Sequence, residues 1–246
     1  MRIQWDRTKG RPEPIRALNR IPERDNGEPL VSILERCPRV QVPRPQTIPW
    51  VREKVAEMLQ QASETLPKGT FIAVTDAWRP FRRQELIYEF MWKSGQEAFP
   101  HLSYAQLRRK INRWVAPTDQ KAPPGHCTGA AVDIILVDAN GEPIDITSPF
   151  ERFAAAPTWA TNLTEEAYRN RMIMVEAMLG VGFSNCRDEY WHYSYGDAGW
   201  AVREAQPECF YGLIELPVDQ YVEAQKLWEE AFRDRENPFL APALKQ

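Results

Sequence analysis

The sequence predicts an α+β fold, a small, mostly antiparallel sheet with helices packed on one side. Three observations lead there. Short β-rich runs and helical stripes alternate irregularly along the chain. Hairpin signals outnumber strand–helix–strand units, which disfavours a parallel sheet. Twenty-one prolines in 246 residues keep regular elements few and loops long. Hydrophobic residues at 43% and charged residues at 26% are ordinary globular values, so a chain of this length buries a sizeable core.

The elements follow in order. Residues 1–48 are dense in Pro and Arg and read as an extended arm over the domain, with one short strand near 30–34. A helix begins at Thr47 or Pro49. Its apolar stripe is Trp50, Val55, Met58, Leu59, Ala62 and Leu66, and Pro67 and Gly69 stop it. Phe71, Ile72, Ala73 and Val74 form a buried strand, followed by a loop over 76–80 and a helix over 82–93. Ser103 and Gln106 make a capping box for a helix reaching about residue 114, and 117–125 is a loop. Residues 130–137 read as a strand, and Asp138-Ala139-Asn140-Gly141 as a hairpin turn with 143–146 returning. Thr164, Glu165 and Glu166 open a helix that Gly180 or Gly182 ends. Residues 189–195 alternate with aromatics as a strand, and 218–235 form an amphipathic C-terminal helix. The expected organisation is therefore an arm over 1–48, a main domain over 49–212 and a helical extension over 213–246 packed on it.

Charge and composition exclude several functions. Lys and Arg total 31 against 34 Asp and Glu, a net charge of −3, which argues against a dedicated nucleic-acid binder. No apolar run approaches the roughly 18 residues of a membrane span. The N-terminus is basic without an apolar core, so no signal peptide is expected. Cys37, Cys127, Cys186 and Cys209 are widely spaced with no C-x-x-C pair and read as reduced thiols of a cytoplasmic protein.

Three histidines leave few centres for imidazole chemistry: His101, His126 and His192. His101 precedes a helix cap and reads as a surface residue. His126 sits just before a strand and Asp133 lies inside it. A carboxylate in an apolar strand needs a cation, a metal or several donors. Two imidazoles and one carboxylate suit a zinc ion with a fourth position open to water. Such an ion lowers the pKa of water from about 16 towards about 7. Glu189 is the candidate to take that proton and pass it to a leaving amine. Glu189 and His192 are three positions apart, so a flat strand would put them on opposite faces; a twist or bulge is needed. Arg79, held extended by Pro80, is the candidate to face a developing oxyanion.

These segments resemble the zinc metallopeptidases around the VanX-type D-alanyl-D-alanine dipeptidases, a group that includes lysostaphin-type enzymes and the hedgehog signalling domain. The group's S-x-H-x-x-G-x-A-x-D reads here P-G-H-C-T-G-A-A-V-D over 124–133, and its E-x-W-H reads E-Y-W-H over 189–192, with 66 positions from His126 to His192. D-A-W-R-P over 76–80 resembles its D-x-Y-R-P stretch, and T-S-P-F over 147–150 its G-T-P-F-D region, with Glu151 where Asp is usual. Pro124 stands where the pattern has the serine that helps hold a substrate's amino terminus. The resemblance covers about residues 45–200. It implies a hedgehog/DD-peptidase-like fold, zinc held by His126, Asp133 and His192, Glu189 as acid/base and Arg79 assisting the transition state. It further implies that Asp76, Trp78, Tyr190 and Trp191 contact substrate. The implied activity is zinc-dependent hydrolysis of D-alanyl-D-alanine or a similar dipeptide, with no nucleic-acid or membrane partner. Two alternatives are a D,D- or L,D-carboxypeptidase on cell-wall peptides and a non-catalytic zinc-binding module. A scaffold, however, needs neither Glu189 nor Arg79.

Overall fold

The computed structural model describes residues 12–240, so residues 1–11 of the expected arm and 241–246 of the extension lie outside the described residues. The strands are β1 (Leu30–Ser32), β2 (Val40–Gln41), β3 (Trp50–Arg52), β4 (Phe71–Asp76), β5 (Ala131–Val137), β6 (Ser184–Asn185) and β7 (His192–Ser194). The helices are α1 (Ile15–Leu18), α2 (Ile33–Arg36), α3 (Glu53–Thr65), α4 (Phe81–Ala98), α5 (Tyr104–Ile111), α6 (Glu165–Gly180), α7 (Ala198–Arg203) and α8 (Val222–Arg233). Five strands form one sheet in the order β2-β4-β5-β7-β6, and β1 and β3 form a second. Among the described strands only β2 and β4 pair in parallel; the other pairs are antiparallel. The fold is α+β, as expected.

Period-two alternation decides what each face of the sheet does. Ile72 and Val74 of β4, Val132, Ile134 and Leu136 of β5 and Tyr193 of β7 enter the main core. There they meet Val55, Met58, Leu59 and Ala62 of α3 and Met174, Ala177 and Met178 of α6. Each such fully buried aliphatic side chain contributes about 1.5–3 kcal/mol. The intervening residues, Asp133 and Ile135 of β5 and His192 of β7, face a cavity on the other side. Its far wall includes Arg83, Gln84, Ile87 and Met91 of α4 and Trp228 and Phe232 of α8. Helices therefore cover both faces, closely packed on one and spaced by a cavity on the other. The close packing on one side is the expected one, with α3 and α6 on that face.

Other departures have local causes. Trp50 belongs to β3, not to the following helix, because Val31 pairs with Val51 and the Arg52 N–H reaches the Gly129 carbonyl at 2.9 Å. The expected return strand at 143–146 is reduced to one bridge between Val137 and Pro143, since proline has no N–H to extend a ladder. The segment expected to be an arm is woven into the core. Ile33, Cys37, Val40 and Ile48 are buried, and β2 is an edge strand of the main sheet. The C-terminal helix α8 has no fully buried residue. It lies on α4 through a Phe90–Phe232 edge contact with centroids 5.3 Å apart and through Arg83, 4.9 Å from the Trp228 ring centroid.

Candidate metal centre

Strand register brings two of the three expected ligands together. Asp133 of β5 is paired directly with His192 of β7, and antiparallel partners point to the same face. The third ligand comes from a 3-10 turn, Gly125–Thr128, that enters β5. Two glycines make this turn possible. A Cβ at Gly125 would lie 2.3 Å from Asp197 Oδ2, and Gly129 ends the turn at φ 72, which side chains rarely adopt.

The donor atoms converge. His126 Nδ1 donates to the Ala77 carbonyl at 2.8 Å, which leaves Nε2 with its lone pair free. That Nε2 is 3.2 Å from Asp133 Oδ1, and His192 Nδ1 is 3.0 Å from the same oxygen. The two imidazole centroids are 5.0 Å apart. One donor from each residue lies within 4.8 Å of the others. Ligand atoms about 2.0–2.1 Å from a tetrahedral zinc stand roughly 3.3 Å from one another, so the donor set and its spacing fit zinc.

The electrostatics agree with that reading. Burial opposes the charge on Asp133, yet the flanking His126 and His192 hold its carboxyl far below the usual range. Burial pulls the His126 imidazole down, but the Asp133 carboxylate outweighs it and raises the pKa above the ordinary value. Glu189 behaves oppositely. Burial, and then the negative charges of Asp133 and Glu13, push its carboxyl well above the usual range. Among the described residues its carboxylate makes no hydrogen bond or ion pair.

Glu189 reaches the cavity because the strand is shorter than expected. β7 starts only at His192, and the His192 N–H donates to the Glu189 carbonyl at 3.2 Å, closing a turn over 189–192. The turn removes the opposite-face problem of a flat strand, and both side chains line the cavity.

A second irregularity presents Arg79. The β4–β5 register shifts between Val74 and Asp76, so that Asp76 lies opposite Asp133. The bulge turns Asp76 to the cavity face. Its Oδ2 accepts from Arg79 Nε at 3.2 Å and Nη2 at 2.5 Å, and its Oδ1 from the Ala77 N–H at 3.0 Å. Arg79 Nη1 also donates to Gln84 Oε1. Asp76, expected to contact substrate, thus has its carboxylate engaged in holding Arg79. Burial opposes the charge on Arg79, but Asp76 and Asp133 raise its pKa, so it stays cationic.

Trp78 is not brought to the site. It is 0% exposed, packs with Leu30 and Ile48, and donates from Nε1 to the Ile214 carbonyl at 3.0 Å. After the bulge its side chain falls on the core side. Tyr190 and Trp191 line the cavity. Pro124 also lines it, and His101 is exposed.

Sequence reading missed several supporting residues. Gln84 links Arg79 to the Ala116 carbonyl, to which its Nε2 donates at 2.7 Å. Arg171 is fully buried, donates to the carbonyls of Ile146, Pro157 and Ala155, and lies 4.3 Å from the Tyr190 ring centroid. A lone arginine in the apolar stripe of α6 was the available signal. Glu13, from the N-terminal segment, lines the cavity and pairs with Arg203, whose Nη2 donates to Ser194 Oγ at 2.5 Å.

The family model described as D-ala-D-ala dipeptidase, Peptidase M15, matches residues 40–210. The chain belongs to this peptidase family. A D-alanyl-D-alanine dipeptidase from Synechocystis sp. is 27% identical over 242 residues, covering 82% of this chain and 98% of that protein. One from Escherichia coli is 22% identical over 161 residues, covering 65% and 73%. Among solved structures, a zinc-bound variant of the vancomycin-resistance D,D-pentapeptidase VanY aligns with TM-score 0.39 and 18% identity, over 70% of this chain and 84% of that one. VanYB in complex with D-alanine-D-alanine aligns with TM-score 0.40 and 16% identity, over 76% and 84%. Zinc is the cofactor on which the M15 family and the His-Asp-His donor set agree.

Proposed function

We propose that this M15 peptidase is a zinc-dependent D,D-dipeptidase that cleaves D-alanyl-D-alanine or a closely similar short dipeptide, with His126, Asp133 and His192 as ligands. The observation that carries the reading is the meeting of these three donors, with Glu189 and Arg79 lining the same cavity. The names of the two dipeptidase relatives support the substrate.

When bound, zinc supplies a Lewis acid that polarises the scissile carbonyl and acidifies water. The chain's residues do the rest. Glu189, whose carboxylate is otherwise unpartnered among the described residues, takes the proton from the attacking water and delivers it to the departing amine. Arg79, fixed by Asp76 and Gln84, presents its cationic guanidinium to the oxygen on which charge develops. Asp76 is a positioning residue, and Tyr190 and Trp191 wall the substrate space. We place the enzyme in the cytoplasm, acting on fragments of cell-wall peptide. Among the described residues no helix is long and apolar enough to cross a membrane.

Zinc-loaded protein should release D-alanine from D-alanyl-D-alanine, and chelation should abolish release. Glu189→Ala should keep one zinc per chain and lose most activity. An equally active Glu189→Ala protein removes Glu189 from its role. Absence of turnover by a fully loaded sample removes the substrate assignment.

One observation favours a second reading. The cavity measures about 960 Å³, at the upper end for small-ligand sites and roomy for a dipeptide. A carboxypeptidase acting on a longer cell-wall peptide would use that room. Comparing turnover of the dipeptide with that of a pentapeptide ending in D-alanyl-D-alanine separates the two.

A further inference from the structure

Most charged side chains of the cavity are already paired. Arg79 is held by Asp76, Arg113 and Arg187 by Asp188, and Arg203 by Glu13. Arg83 spends its guanidinium on Gln225, the carbonyls of Gln46 and Ala224, and the Trp228 ring. Three lining arginines differ, and one of them, Arg109, is not among the charges that act on Arg79 or Arg235. The other two, Arg44, in the loop after β2, and Arg235, two residues past the end of α8, both line the cavity. Among the described residues neither guanidinium makes an ion pair or a hydrogen bond.

Arg235 is nonetheless not adrift. Its guanidinium lies 5.7 Å from the Phe90 ring centroid and 5.9 Å from that of Phe232, two aromatics that also touch one another. Planar cations lie favourably over such rings. Arg44, Arg79 and Arg235 line the one cavity, and the first two lie close enough to Arg235 to repel its charge. Arg44 is also felt by the Tyr190 phenol. A cavity that gathers unpaired cations beside its catalytic arginine is built to receive an anion.

We propose that Arg44 and Arg235 form the subsite for the free C-terminal carboxylate of the peptide substrate. The assignment rests on the peptidase reading and adds to it which end of the substrate this chain recognises. The chemistry asks for such a site. In a dipeptide the free carboxylate lies one residue, roughly 3.5 Å of extended chain, beyond the scissile carbonyl. A receptor for it must therefore share the cavity with the group that faces that carbonyl, as Arg44 and Arg235 share it with Arg79. Guanidinium forks match carboxylates with paired hydrogen bonds. Arg235 lies outside the stretch matched by the family model, so the C-terminal extension gains a role in substrate selection.

The test compares D-alanyl-D-alanine with its C-terminal amide on full-length, zinc-loaded protein. Both substrates keep the scissile bond, and only the free acid carries the anion. Wild type should prefer the acid. Arg44→Ala and Arg235→Ala should each narrow the acid-to-amide ratio of kcat/KM by about tenfold, the worth of one charge-assisted hydrogen bond. The loss should appear mainly as a raised KM for the acid, and Arg235→Lys should restore part of it. Both side chains are exposed, so unfolding is not the expected outcome, and unchanged thermal midpoints confirm this. Active wild type with the full ratio retained in the double variant overturns the subsite while leaving the peptidase reading standing. Wild type that cleaves neither substrate overturns the peptidase reading and this assignment with it.

Discussion

Substituting Gly129 by alanine tests how the metal centre is held in place. Gly129 has φ +72 and ends the turn that carries His126 into β5. An L side chain in that conformation costs about 1–2 kcal/mol. The added Cβ would also stand 2.3 Å from Leu30 Cδ2 in the folded chain. Leu30 is buried at 9% exposure, so its side chain must shift against Ile48 and Trp78. Because the clashing atom is the end of a side chain, this repacking takes the low end of the overpacking range, about 1 kcal/mol. The sum is about 2–3 kcal/mol, or roughly 5–10 °C in thermal midpoint for a chain of this size. The turn also sets His126, so zinc affinity, measured by competition with a chromophoric chelator, should weaken at least about tenfold. Gly69→Ala is the control. It has φ +83 with nothing within 4 Å of its Cβ and lies away from the site, so it should show the strain alone and keep zinc affinity. A Gly129→Ala protein with wild-type midpoint and wild-type zinc affinity would refute this reasoning.

Further outcomes follow from the same geometry. Asp76→Asn removes the charge that holds Arg79 but leaves Gln84 in place; kcat should drop about 10- to 100-fold with one zinc still bound, and steady-state kinetics beside metal analysis would check both. In the chelated protein, the raised pKa of His126 gives stability that is fully present below about pH 6.5, the unfolded value, and is lost as pH climbs through the folded value. The thermal midpoint of chelated protein should therefore fall as pH rises above about 6.5, and Asp133→Asn should flatten that fall. Zinc affinity should move the other way, strengthening with pH, because binding displaces the His126 proton. Trp78→Ala should cost about 3–5 kcal/mol of stability as a core deletion, whereas Trp191→Ala should lower kcat/KM more than the thermal midpoint.

The meeting of His126, Asp133 and His192 was legible because chemistry constrains such a candidate set tightly. A carboxylate at Asp133 inside an apolar strand demanded a cation, and the histidines at 126 and 192 were the only imidazoles near strand ends. Strand β5 and helices α3, α4 and α6 were legible from their periodicity. What the residues alone did not reveal were the irregularities. The bulge at Val74–Asp76 and the turn over 189–192 both depend on cross-strand pairing, and each changes the direction of the residues that follow. Trp78 was misplaced for that reason, whereas the 189–192 spacing already called for an irregularity, which the turn supplies. The roles of the flanking segments were likewise hidden, because Glu13, Arg44 and Arg235 meet the site only through long-range packing. No local pattern marks such residues.

The most direct measurement is a crystal of the zinc-loaded protein with data collected at the zinc absorption edge. One anomalous peak should lie about 2.0–2.2 Å from His126 Nε2, an Asp133 carboxylate oxygen and His192 Nδ1, with Glu189 outside bonding distance. A peak elsewhere in the molecule, or one ligated by Glu189 with either imidazole turned away, would contradict the assignment of ligands and base together.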